Sequence, residues 1–267
     1  MRIIVTRPRR EANAWVEKLR LKGFDALALP LIQISAPQQG DAVAQSWRDL
    51  PQYKAVMFVS SNAVNHFFES NLAVAGNKWT SLAIKSRVWA TGPGTSHALM
   101  SQFVPAALID APAANAQQFD SEALWSRVKT QVTAGDKVLI VRGCTLDSGA
   151  AQHGDSAMNG RSWLADQLTA AGAVVNFVVS YQRSAPVLSS QEQQLMQEAA
   201  VDGSLWLLSS SEAIGNLTHM TVQNWSQARA LATHPRIAQA AREAGFGVVY
   251  ESRPLLADVT ASIESLL

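Results

Sequence analysis

KLRLKGFDALALPLIQISAP, residues 18–37, and QLTAAGAVVNFVVSYQRSAP, residues 167–186, are one pattern written twice. Gly23 aligns with Gly172 and Pro37 with Pro186 at a single offset. In each copy an amphipathic run closes on a glycine suited to a helix C-terminus, an apolar run follows, and Ser-Ala-Pro ends it. Two further pairs keep the same order: SSNAV at 60–64 with SSEAI at 210–214, and RVWATGPGTSHAL at 87–99 with RALATHPRIAQAA at 229–241. The chain therefore holds two similar units.

Each unit alternates short β-branched or apolar runs with longer segments of helical period. The strand candidates are RIIVT, FDALALP, KAVMFVS, RVWATG, VPAALID, KVLIVRG, VVNFVVSY, SLWLLSS, RALATH and FGVVYES. Such alternation predicts an α/β fold of two doubly wound parallel-sheet domains, each of five strands with helices on both faces.

Composition narrows the function classes. The 267 residues are 48% hydrophobic and carry a formal net charge of +1, so no overall field recruits nucleic acid or an anionic membrane. No apolar run has the length of a membrane span, and MRIIVTRPRR reads as a short strand and basic residues, unlike a secretory signal. A cytoplasmic location is the expectation. Cys144 is the single cysteine, which excludes an internal disulfide and, without partners at ligand spacing, argues against a zinc site.

Open α/β sheets bind ligands at the carboxyl ends of their strands. The residues there are TRP after the first strand, SSN after the third and TGPGT after the fourth, answered by VRG, SSS and THPRI. They are poor in acid–base groups and rich in hydroxyls, arginines and backbone amides, which suits a polyanion. The candidate binding residues are Arg7, Ser60, Ser61, Asn62, Gly92, Gly94, Thr95, Arg142, Gly143, Ser209, Ser210, Ser211 and Pro235. In ATGPGTSHAL, residues 90–99, two glycines around a proline turn the chain into a helix whose first amides could hold an anion. Structural roles compete at several positions. Thr95, Ser60 and Ser210 could cap helices, and Arg7 and Arg142 could pair with acids. Phosphate is the weaker choice of anion, because neither G-x-G-x-x-G nor G-K-[ST] is present.

VTRP, PLIQI before the first SAP, FVSSNAV, ATGPGTSHAL, FDSEALW, VLIVRG, GRSWLADQLTAAGA and YQRSAP together resemble the uroporphyrinogen-III synthase family, over almost the whole chain. The resemblance implies conversion of the linear tetrapyrrole hydroxymethylbilane into uroporphyrinogen III, with inversion of ring D, loss of water, and no cofactor or metal. The enzyme would be a cofactor-independent lyase acting on a substrate with eight carboxylates. It implies a monomer that meets the preceding pathway enzyme transiently and binds neither nucleic acid nor membrane. Tandem duplication alone would divide the chain near residue 134. The family's architecture implies instead one domain from 1–36 plus 187–267 and another from 38–182. Connectors near 33–38 and 181–187 would pair as a two-stranded hinge, with a cleft between the domains. Tyr181 matches the family's tyrosine at this place and is the candidate proton donor.

Two departures stand out. The family's R-G-x-G-G-R is split here, because CTLDSGAAQHGDSAMNG separates Gly143 from Arg161. That polar insertion reads as a mobile loop, and it leaves open whether Arg161 faces the substrate. Ile237 stands where Thr95 does in the other copy. His234, before a proline, reads as structural. The competing functions are a two-domain binding protein or sensor for a carboxylated ligand, and a nucleotide-sugar transferase, for which the chain is short.

Overall fold

The computed structural model describes residues 1–37, 40–75, 86–113, 116, 119–146, 161–221 and 223–266. Its strands are β1 (Arg2–Val5), β2 (Asp25–Ala28), β3 (Gln33–Ser35), β4 (Ala55–Phe58), β5 (Arg87–Ala90), β6 (Ile109–Asp110), β7 (Lys137–Thr145), β8 (Val174–Ser184), β9 (Leu205–Leu208), β10 (Arg229–Ala232) and β11 (Val248–Glu251). Its helices are α1 (Arg9–Leu21), α2 (Gly40–Asp49), α3 (Ser61–Ala75), α4 (Pro93–Ser101), α5 (Ser121–Val128), α6 (Arg161–Ala170), α7 (Ser190–Ala199), α8 (Ser211–Met220), α9 (Pro235–Glu243) and α10 (Leu256–Glu264). Residues 1–34 and 184–267 form one compact unit, and residues 35–183 the other.

The first unit has a five-stranded sheet in the order β11-β10-β9-β1-β2, all of its pairs parallel. Period-two alternation divides its strands between two cores. Ile4, Trp206, Leu208, Ala230 and Ala232 face α7, α8 and α9 through Met196, Ala199, Ile214, Leu217, Ala238 and Ala241. Ile3, Val5, Leu205, Leu207 and Leu231 face α1 and α10 through Ala12, Val16, Leu19, Val259 and Ile263. Strands covered on both faces are nearly continuous apolar runs, as parallel strands require.

The second unit's sheet has the order β3-β8-β7-β4-β5-β6, six strands where the sequence predicts five. The register holds Phe58 level with Ala90 on β5 and with Val141 on β7. The expected α/β class with two parallel-dominated sheets is observed.

The duplication survives in geometry. Gly23 and Gly172 sit at φ 86° and 85°, where each ends a helix. The next amide reaches back over the last turn, from Phe24 to Leu19 at 3.2 Å and from Ala173 to Leu168 at 3.0 Å. Pro93 and Pro235 each open a helix that follows a strand directly.

The copies diverge after their matched strands begin. β8 runs unbroken through Ser184, whereas the first copy stops at Ala28 and resumes at Gln33 as β3. Pro30 occupies the place that Val179 fills in β8; the Leu29 and Leu31 amides on either side of it still donate to the Val5 and Thr6 carbonyls at 2.9 and 3.2 Å, so the proline sits on the open side of an edge strand, where its missing N–H costs no bond to β1. Tyr181, expected in a linker, is therefore a strand residue, held because β7 continues to pair with β8 as far as Thr145 and Arg183.

Candidate active site

β4 and β5 end level with one another at Phe58 and Ala90, while their neighbour β7 runs on past the level residue Val141 to Thr145. Ser60, Gly92 and Gly143 each lie two positions beyond the aligned set Phe58, Ala90 and Val141. VRG is not a strand-end loop, as expected, but part of β7.

Between Arg142 and Gly143 the ladder with β8 slips, with Arg142 opposite Val179 and Gly143 opposite Tyr181. Ser180 is the extra residue of this bulge. Bulges re-aim side chains, and here two consecutive residues turn to the same helix. The Ser180 hydroxyl donates to the Ala63 carbonyl at 3.2 Å. The Tyr181 hydroxyl lies 3.1 Å from the Ser60 hydroxyl.

Ser60 caps α3. Its Oγ accepts from the Ala63 N–H at 3.1 Å, and its carbonyl accepts from the Val64 N–H at 3.2 Å. The capping role weighed for Ser60 is thus real, and the same oxygen also holds Tyr181. Two neighbours pack on the tyrosine ring. His66 stacks with it, centroids 5.9 Å apart and planes 23° apart. Gly143 has no Cβ, and one built there would lie 2.6 and 2.7 Å from the Cε2 and Cε1 of Tyr181. Tyr181 is 2% exposed, and Ser60 is half-buried.

The TGPGT turn works differently from the expectation. Gly92, not Thr95, is the N-cap of α4, and it makes no side-chain cap bond. Thr95 is buried inside the first turn. Neither Gly92 nor Gly94 has the positive φ that favours glycine, because extended backbone at Gly92 passes directly into Pro93 at the first helical position. Gly92 instead allows close approach, since a Cβ there would stand 3.2 Å from the Cβ of Phe119. Gly94 faces open space within 4 Å. Thr91 ties the turn down by donating to the Val59 carbonyl at 3.2 Å.

Of the remaining candidates in this unit, Ser61 and Asn62 lie in the first turn of α3, and the Arg142 guanidinium lies 4.7 Å over the Phe177 ring. Arg161 opens α6, and its side chain and residues 147–160 of the insertion lie outside the described residues, while the insertion's first two residues, Cys144 and Thr145, belong to β7 rather than to a loop.

In the first unit Arg7 follows β1 and reaches along α1. It donates to Glu11 at 3.3 Å and lies 4.4 Å over the Trp15 ring. Burial lowers its pKa and Glu11 works against that shift. The acid pairing weighed for Arg7 is therefore present. Ser209 precedes Ser210, which occupies the N-cap position of α8 without a side-chain bond, and Ser211 begins the helix. His234 caps α9, its Nδ1 accepting from the Arg236 N–H at 3.1 Å, ahead of Pro235. That is the structural role expected of it.

The structure thus brings Ser60, Gly143 and Tyr181 into contact and sets Gly92 level with Ser60 and Gly143 on the neighbouring strand. Sequence reasoning missed His66 and Ser180. Neither was legible: the bulge leaves no mark in composition, and His66 lies six residues after Ser60, a spacing at which helical residues do not share a face. Among the described residues, no three His, Cys, Asp or Glu side chains gather as a metal site would need. Among the same residues, no helix is long and apolar enough to cross a membrane.

A family model described as uroporphyrinogen-III synthase HemD matches residues 13–260. The chain belongs to the uroporphyrinogen-III synthase family. A uroporphyrinogen-III synthase of Salmonella typhimurium is 30% identical over 253 residues, 92% of each chain. One from Escherichia coli is 30% identical over 251 residues with the same coverage. Among solved structures, uroporphyrinogen-III synthetase from Helicobacter pylori aligns over 100% of both chains with a TM-score of 0.57 at 17% identity. A mutant uroporphyrinogen III synthase from Thermus thermophilus covers 100% of this chain and 98% of its own, with a TM-score of 0.56 at 16% identity. These two show a shared fold. Membership makes this chain an enzyme of tetrapyrrole biosynthesis, as its motifs implied.

Proposed function

We propose that the chain closes hydroxymethylbilane to uroporphyrinogen III, inverting ring D and releasing water, as a lyase that needs no cofactor or metal. The observation that carries this reading is the Tyr181 hydroxyl fixed against Ser60 at the carboxyl end of the second sheet, in a chain matched to the family over 13–260. The reading includes a cytoplasmic monomer that meets the preceding pathway enzyme transiently.

The reaction sets two tasks. A hydroxyl must leave the terminal carbon of ring A, and the resulting azafulvene must be met by the substituted carbon of ring D before the unsubstituted one reacts. The first task needs a proton, and a placed donor contributes typically about 10²–10⁴-fold. Tyr181 is the proton source in this reading, its ring fixed by His66 and the bare backbone of Gly143. The second task is one of positioning. The carboxylates of the substrate bind to the open-faced first turn of α4 at Gly94 and Thr95, to Ser61 and Asn62 at the start of α3, and to Arg142. Arg7, Arg161, the Ser209–Ser211 run and Pro235 supply further contacts. Helix N-termini favour such anions through unpaired amides and the helix dipole.

The test is incubation of purified protein with freshly made hydroxymethylbilane in the presence of a chelator, then separation of the oxidised products. Mainly type III product is expected, with the same rate with and without chelator. Product that is all type I overturns the reading and leaves a binding protein in its place.

A further inference from the structure

The pair formed by Ser60 and Tyr181 has a direction, and burial sets it. Either oxygen could donate across their 3.1 Å contact. If Ser60 donated, the Tyr181 proton would be left without an acceptor on a residue that is 2% exposed, and a buried unsatisfied donor costs free energy. Tyr181 is therefore the donor. A serine hydroxyl has two acceptor sites and one proton. Both acceptor sites of Ser60 are then filled, one by the Ala63 N–H and one by Tyr181. Its own proton remains, on the half-buried member of the pair.

We infer that the Ser60 hydroxyl, rather than that of Tyr181, meets the departing substrate oxygen, and that Tyr181 supplies its proton to Ser60 from behind. The inference rests on the cyclising activity proposed above and names how the proton is delivered. The C–O bond at the terminal carbon breaks with its electron pair going to oxygen, which takes the Ser60 proton and leaves as water. Ser60 takes the Tyr181 proton in the same event, so negative charge rests on the phenolate opposite the positive azafulvenium. On ring closure the free α-carbon of ring D loses its hydrogen, and that proton returns through Ser60 to Tyr181. One water is lost and both hydroxyls are restored.

The arrangement also ties the relay to α3. The positive end of a helix favours negative charge, and the Ala63 amide at that end is bonded to the relay oxygen itself.

Five variants separate relay from capping. Ser60→Thr keeps the cap, the acceptor for Tyr181 and the proton, and is expected to recover most of the turnover that Ser60→Gly loses. Ser60→Asp keeps the cap and the acceptor but holds no proton to pass on at neutral pH. Ser60→Gly keeps the cap position and removes the hydroxyl, leaving the buried Tyr181 proton without its acceptor. Both are expected to lower kcat at least about tenfold, as Tyr181→Phe does, at saturating substrate and at a temperature where each variant is fully folded. The double variant Ser60→Gly/Tyr181→Phe is expected to be no slower than either single one, because the two act as one unit. Folded Ser60→Gly or Ser60→Asp protein with wild-type kcat overturns the inference, and so does multiplicative loss in the double variant. Wild-type protein that yields only type I product is a separate outcome. It removes the proposed activity itself and the relay with it.

Discussion

Replacing Gly143 by alanine tests the geometry of the site with one methyl group. Gly143 has no positive φ, so the new Cβ adds no backbone strain and acts by contact alone. It would stand 2.6 and 2.7 Å from two carbons of the Tyr181 ring, whereas carbon atoms rest about 3.5–4.0 Å apart. The ring must therefore withdraw by about 1 Å. His66, stacked on the same ring, limits the room for that movement. A 1 Å displacement carries the hydroxyl out of range of Ser60, from which it now lies 3.1 Å. Overpacking of this kind costs about 1–3 kcal/mol of stability. Misplacement by 1 Å costs about 10²-fold in rate. The measurement pairs thermal unfolding with the initial rate of type III formation, at a temperature where the variant is fully folded. A folded Gly143→Ala enzyme with wild-type turnover would refute the reasoning, because the tyrosine position would then be immaterial.

Other substitutions probe neighbouring features. Tyr181→Phe is expected to keep its fold and lose at least about tenfold in kcat, and wild-type kcat would return the residue to a packing role. Thr95→Val is expected to weaken binding of uroporphyrinogen III while Thr95→Ser retains it. Because Gly92 is the cap, the stability change should fall short of the roughly 0.5–2 kcal/mol of a lost cap, and unchanged product affinity would remove Thr95 from the site. Phe103 holds φ 62° at the end of α4 while 78% exposed. Phe103→Gly is therefore expected to raise stability by about 1 kcal/mol, and an unchanged or lower unfolding midpoint would contradict this. The Ser189 N–H and Arg9 hold the Glu192 carboxylate below its usual pKa. Its contribution is full above the unfolded value of about 4.3 and is lost as pH falls through the folded one. Glu192→Gln should accordingly flatten the decline of the unfolding midpoint between about pH 6 and pH 3, and an equally steep decline would argue against it.

The strands and the repeat were legible because parallel strands buried on both faces must be apolar throughout, and helix-ending glycines mark each return. Gly23 and Gly172 announce themselves by residue type alone, and both take the left-handed conformation. The same logic misleads at TGPGT, where two glycines suggest a conformational need and the structure shows a need for space beside Phe119. Thr95 reads as a cap because hydroxyls are preferred there, yet an extended residue followed by proline already supplies the entry to α4. The site itself was half legible. Ser60 and Tyr181 stand out one by one, but their contact spans 121 residues of sequence and depends on a bulge that leaves no compositional trace. Gly143 was read as part of a binding loop, and its role as the space for a ring becomes visible only with the register of β7 against β8.

That register also explains why, among the described residues, the duplicated chain shows one site of this kind. Pairing of β1 with β2 begins at Arg2 and Asp25, as that of β7 with β8 begins at Lys137 and Val174. Carried along both strands, this correspondence puts Pro8 at the place of Gly143 and Ile32 at that of Tyr181. β1 ends at Val5 and Pro8 is already the N-cap of α1, so the last bond across to it is that of the Leu31 amide to the Thr6 carbonyl. With β1 turned into a helix, residue 32 has no strand to form a bulge against, and Ile32 is buried in the apolar core instead. The arginines just before these positions did not diverge in the same way. Arg7 and Arg142 correspond, and each guanidinium lies over an aromatic ring, Trp15 at 4.4 Å and Phe177 at 4.7 Å. A charge held over a ring needs no continuous strand, whereas a hydroxyl held within hydrogen-bond reach of a helix cap does. The first unit therefore keeps a cation at its strand end, whereas the second, with Gly143 in the place of Pro8 and β7 running on beside β8, holds the tyrosine.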